Sequence, residues 1–175
     1  MKNLLKIAGL VLLLTACSKE KSIQKYFVDK HEDVDFTALD ISTKTLFSNF
    51  EELTKEEKEQ LKNISKLNVL VLNSSNQDKM NIEYKEVSEI LNQSSYSSLI
   101  EVNSEDGSMM MNIEGNDVNN VNELVFLGKN DEMGMIVARV LGKHINPTNF
   151  YQTMKMAEKM DTEVLENLTK QFDLN

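Results

Sequence analysis

The chain has 175 residues, of which 41% are hydrophobic, with one proline and six glycines. That composition lies outside the low-complexity and disordered classes, and the length suits one compact domain. With 19 basic against 28 acidic residues the formal charge is -9; an acidic domain without a basic stripe repels phosphate, which argues against nucleic acid as a partner.

The basic start Met1-Lys2-Asn3-Leu4-Leu5-Lys6 precedes the apolar run Ile7 to Leu14, the layout of a secretory signal. The run is too short for a membrane span, which needs about 20 apolar residues. It ends in Leu14-Thr15-Ala16-Cys17, which resembles the lipobox of bacterial lipoproteins. Leu14, Thr15 and Ala16 would be read by the signal peptidase, and Cys17 would take a diacylglycerol as a thioether. This predicts a signal peptide over residues 1–16, a lipidated N-terminus and short tether over 17–25, and a single domain over 26–175. Loss of Lys2 and Lys6 with the leader leaves 17 basic residues against all 28 acidic ones, so the charge moves from -9 to -11. Cys17 is the sole cysteine; once acylated it leaves no thiol for a disulfide, a metal site or a nucleophile. Two or more acyl chains hold a protein stably to a bilayer, so the membrane is the first expected partner. The seven tether residues Ser18 to Gln24 span at most about 25 Å. Ser18 stands where an aspartate would retain a lipoprotein in the inner membrane, and Ser18-Lys19-Glu20-Lys21 offers one acid. The expected location is the outer membrane, facing the periplasm.

In chain order, residues 34–41 predict a first strand, and Leu46, Phe47 and Phe50 sit at helical spacing. Thr54-Lys55-Glu56-Glu57 is a capping box opening a charged helix with Leu61 and Ile64 facing in. Residues 66–73 are apolar on both faces, which suits a central strand. Met80, Tyr84, Val87 and Leu91 then recur at the period of an amphipathic helix. Four strands are expected over 98–103, 108–114, 123–128 and 133–141. The first two flank Ser104-Glu105-Asp106-Gly107, where Gly107 can supply the positive φ of a tight hairpin. Asn146-Pro147 caps a closing helix whose apolar stripe runs through Phe150, Met154, Ala157, Val164, Leu168 and Phe172. The order β-α-α-β-α-β-β-β-β-α predicts a two-layer α+β domain, with helices on one face of a mixed, mainly antiparallel sheet. Its second face then needs a cover, either the segment around Tyr26, Phe27 and Val28 or a partner.

Few residues invite chemistry. His31 with Glu32, Asp33 and Asp35 fits no metal template, and an acidic loop is usually a solvated surface. His144, between a strand and a capped helix, reads as a turn residue. Met109-Met110-Met111 with Met133 and Met135 supplies soft thioethers that suit Cu(I), but three in a row on a strand point to alternating faces and read as core filling. Residues 117–122 superficially resemble a calcium loop, yet Gly128 stands where the bidentate acid belongs, which leaves a polar turn. There is no Gly-rich phosphate loop and no serine elbow. No catalytic residue, metal ligand or cofactor is expected, and no ligand-binding residue is assigned.

Tyr26-Phe27, the segments 36–47, 66–73 and 96–102, Asn122-Glu123-Leu124-Val125-Phe126-Leu127, and Val140-Leu141-Gly142-Lys143-His144-Ile145-Asn146 together resemble the Bacteroidetes lipoproteins grouped as domain of unknown function 4252. The likeness spans most of the mature chain. It implies a small envelope domain behind a lipobox, with no activity to carry over.

The leading expectation is a noncatalytic envelope module that binds a protein or an envelope polymer through its sheet face or edge. A small-molecule or lipid carrier with an apolar pocket beneath the closing helix is the alternative. An enzyme of unassigned chemistry is the third reading.

Overall fold

A computed structural model describes residues 21–43, 53–73, 76–132 and 134–147. The elements are α1 (Ile23–His31), β1 (Phe36–Ser42), α2 (Lys55–Lys62), β2 (Ile64–Leu72), α3 (Gln77–Leu91), β3 (Tyr96–Asn103), β4 (Gly107–Glu114), β5 (Val121–Asn130) and β6 (Gly134–Ile145). The expected helix around Leu46, Phe47 and Phe50 and the closing helix beyond Pro147 fall outside the described residues.

All six strands form one sheet in the order β1-β2-β6-β5-β4-β3, and every neighbouring pair is antiparallel. This corrects the expected mixed sheet and the expected element order, which starts here with a helix. The reason is physical: an apolar run such as Leu67 to Leu72 reports that both faces of a strand are covered and carries no information on the sense of its neighbours. β2 is indeed internal, but it lies between β1 and β6, both antiparallel to it.

α1 forms because Ser22 accepts a hydrogen bond from the Lys25 amide at 3.2 Å, and Lys30 places a cation in the last turn. Ile23 and Gln24, read from the sequence as the end of the tether, are its first turn. α3 is capped in the same way by Asn76, which accepts from the Lys79 amide at 2.9 Å. Ile23 and Tyr26 of α1 and Met80, Val87, Ile90 and Leu91 of α3 are buried against Leu70, Leu72, Met110, Val125, Leu127, Met135 and Val137. Each such side chain contributes about 1.5–3 kcal/mol when withdrawn from water. α1 therefore shares the first face of the sheet with α3; the segment around Tyr26 and Phe27 is not the cover of the second face that its sequence suggested. The two helices are also pinned through buried Glu83 of α3, which accepts from the Tyr26 hydroxyl at 2.9 Å and from Lys30 Nζ at 2.5 Å.

On the second face Ile113, Val121, Leu124, Val140 and Ile145 are buried together, with Leu67, Leu99 and Met111 packed at the margin. Toward the opposite end of the strands Ile100, Val102 and Ile136 remain exposed. Ile64, expected on the inner side of a helix, begins β2 instead, because the chain turns at Asn63.

Two glycines differ from their sequence reading in an informative way. Gly107 does not take a positive φ; it opens β4, and a Cβ there would run into the Lys129 carbonyl of β5. The Ser104 hairpin is closed by the Ser104 amide and hydroxyl, which donate to the Gly107 carbonyl at 2.9 and 3.0 Å. Gly142 has a similar duty, since a Cβ would meet the Asn63 carbonyl, which accepts from the Lys143 amide at 2.8 Å.

Candidate functional site

The first face is apolar along most of each strand and turns polar at one cross-strand row, Asp40, Asn68 and Arg139, which are register partners on β1, β2 and β6. Two residue pairs further along, on the same face, Lys66 lies beside Leu141. These side chains and α1 enclose an open cleft of about 440 Å³. Its helical wall carries Gln24, Phe27, Val28, His31 and Glu32, and its floor includes Ala38, Leu70 and Leu141. A concave site with apolar walls and a few convergent polar groups is the usual form of a ligand pocket.

The polar groups are arranged in two linked sets. Asp40 accepts from Lys66 Nζ at 3.0 Å and from Asn68 Nδ2. Burial pushes its carboxyl up, but those bonds and the Lys66 charge outweigh it and hold the group below the usual carboxylate range. Deeper in, Arg139 Nη2 donates to Glu123 Oε2 of β5 at 2.6 Å, and the Tyr96 hydroxyl of β3 donates to Glu123 Oε1 at 2.9 Å. The Arg139 and Glu123 side chains are 12% and 7% exposed. Burial, reinforced by the Glu123 charge and hydrogen bond, pushes the Tyr96 phenol well above its ordinary value. Arg139 Nε has no acceptor among the described residues.

The residues singled out from the sequence separate. His31 and Glu32 line the cleft, whereas Asp33 and Asp35 bind Lys79 Nζ at 3.1 and 2.5 Å. Among the described residues no group of three or more His, Cys, Asp or Glu side chains could hold a metal ion. Met110 and Met135 are buried in the core of the first face, while Met111 packs at the margin of the second; Met133 lies outside the described residues. Residues 117–120 form a polar turn, with Asp117 Oδ1 accepting from the Asn119 amide at 2.9 Å. His144 is exposed, with φ 52, and its carbonyl accepts from Asn63 Nδ2 at 3.3 Å. Leu14, Thr15, Ala16 and Cys17 lie outside the described residues, and no described helix is long and apolar enough to cross a membrane.

Asp40, Lys66, Asn68 and Arg139 were missed from the sequence. A signal existed: Asn68 and Arg139 each interrupt an apolar strand at a position whose alternation points inward, toward the face that carries Leu70 and Val137.

Residues 26–153 match the family described as Domain of unknown function (DUF4252). The chain belongs to this family. The match runs from the second turn of α1 past the end of β6, so the whole sheet and every cleft residue except Gln24 lie within the DUF4252 domain. No curated protein and no solved structure matches the chain.

Proposed function

We propose that this DUF4252 protein is a noncatalytic binding module of the cell envelope, held to the outer membrane on its periplasmic side by lipid on Cys17. The observation that supports it best is the cleft between α1 and β1-β2-β6. On its floor Asp40 is engaged with Lys66 and Asn68, and Arg139 with Glu123, which also accepts from Tyr96. Groups tied in this way hold a fixed pattern of charge, which favours recognition of a polar ligand over attack on it. The open mouth and charged lining suit a segment of an envelope protein or polymer better than a lipid, which would call for an enclosed apolar pocket.

The test is photocrosslinking in intact cells from a benzophenone residue at Val28, on the cleft wall and 67% exposed. A discrete adduct that disappears in a Lys66→Met background, which alters a half-exposed cleft cation and leaves the buried Arg139–Glu123 pair intact, supports the reading; adducts no different from those of a probe at Val34, 96% exposed and outside this cleft, overturn it. Labelling of the chain with radioactive palmitate, and its loss in Cys17→Ala, tests the anchor separately.

A further inference from the structure

β3 is an edge strand: β4 pairs with one side of it, and no described strand pairs with the other. Such an edge presents free amide and carbonyl groups that can template another strand, and folded proteins ordinarily blunt it. A bulge between Ser98 and Ile100 does this at the start of β3, but from Ile100 to Asn103 the ladder with β4 is regular. In that stretch Ile100 is 42% and Val102 46% exposed. They lie in the same cross-strand rows as Met111 and Met109, both half-buried, so the second face reaches the edge as a continuous apolar surface.

The charge around this edge is one-sided. Between Lys85 and Lys129 the chain carries eight acidic residues and no lysine, arginine or histidine. Glu86 and Glu89 pair with Lys21, and Glu123 with Arg139. Glu101, Glu105, Asp106, Glu114 and Asp117 are exposed and have no cationic partner among the described residues. Glu101 stands on β3 itself, its side chain directed to the helix-bearing face beside Met110. A second copy of the chain would set these acids against one another. A segment that alternates apolar and basic residues instead extends the Ile100 and Val102 rows on one face and meets Glu101 and the hairpin acids on the other.

From this geometry we infer that β3 docks an extended, cationic segment of another protein, which adds to the sheet as a seventh strand. This surface is separate from the cleft, and neither proposal depends on the other.

Amide hydrogen exchange of the full chain tests it, with an alternating Lys-Val octapeptide as the probe and a Glu-Val octapeptide as control. The Lys-Val peptide is expected to slow exchange at residues 97–103, to lose affinity as salt is raised, and to bind at least about tenfold more tightly than the control. Glu101→Lys and Val102→Lys, both at exposed positions, are each expected to weaken it by about tenfold while the melting temperature stays near that of the parent. Protection outside β3, equal binding of the two peptides, or no binding at about 1 mM peptide overturns the inference. Concentration-dependent protection of β3 without peptide also overturns it, by making a second copy the occupant.

Discussion

The Arg139 guanidinium meets the Glu123 carboxylate at 2.6 Å across β6 and β5, on the helix-bearing face and nearly out of contact with water. Attraction between two such charges roughly offsets what their dehydration costs, but a lone survivor keeps the cost and loses the attraction. Glu123→Ala and Arg139→Ala are each expected to destabilise the domain by about 3–5 kcal/mol, whereas Glu123→Leu with Arg139→Met together should come out near the parent. Urea unfolding of the three variants checks this. If the single changes cost no more than the double, the pair is not a coupled buried unit.

The phenols of Tyr26 and Tyr96 set the alkaline limit. Burial first, then the adjoining Glu83 charge and bond, raises the Tyr26 hydroxyl well above its ordinary value of 10.0, and Tyr96 is raised likewise by burial and Glu123. The native state thus keeps protons that the unfolded chain releases once pH exceeds about 10, so stability falls as pH rises beyond that point. Tyr26→Phe should lose about 1–2 kcal/mol at pH 8 with the Glu83 hydrogen bond, and then fall less steeply than the parent between pH 9 and 11. Parallel pH curves for the two proteins would refute the assignment.

At the acid end the relevant group is Asp33, whose carboxylate accepts from the Asp35 amide at 3.1 Å and from Lys79. The amide bond first and Lys79 second hold it below the usual carboxylate range. A depressed carboxylate contributes stability that is present above its unfolded value, about 3.9, and is lost as pH falls through the native one. Lys79→Met should therefore cost under about 1 kcal/mol at neutral pH, since the pair is partly solvated, and the difference from the parent should vanish in strong acid. Thermal melts from pH 2 to 7 measure it.

Gly142→Ala is expected to destabilise by roughly 1–3 kcal/mol, because the new methyl meets a backbone carbonyl that cannot rotate away. Gly115→Ala, where a Cβ would find open space but φ is 84, should cost about 1 kcal/mol from backbone strain alone. Calorimetry on both variants separates the two causes, and a neutral Gly142→Ala would mean that the Asn63 turn yields.

Much of the fold was legible where one local pattern decided it. The Met80, Tyr84, Val87, Leu91 stripe marks the helix found over Gln77–Leu91, and the four C-terminal strands lie close to where their patterns put them. α1 was not legible. Its nine residues draw their stability from contacts such as Tyr26 to Glu83, 57 positions away, and no local window contains that partner. The sheet sense escaped for a related reason, since β2 is neighbour to β6 rather than only to strands next to it in sequence. The cleft was the least visible, because Asp40, Asn68 and Arg139 look like isolated blemishes in three apolar strands until the register sets them in one row.

Acids with no cationic partner among the described residues gather around the β3 edge of the sheet and give that edge a negative local potential. Any negatively charged surface, whether of lipid or of polymer, is pushed away from it, and the repulsion fades as salt shortens the reach of the field.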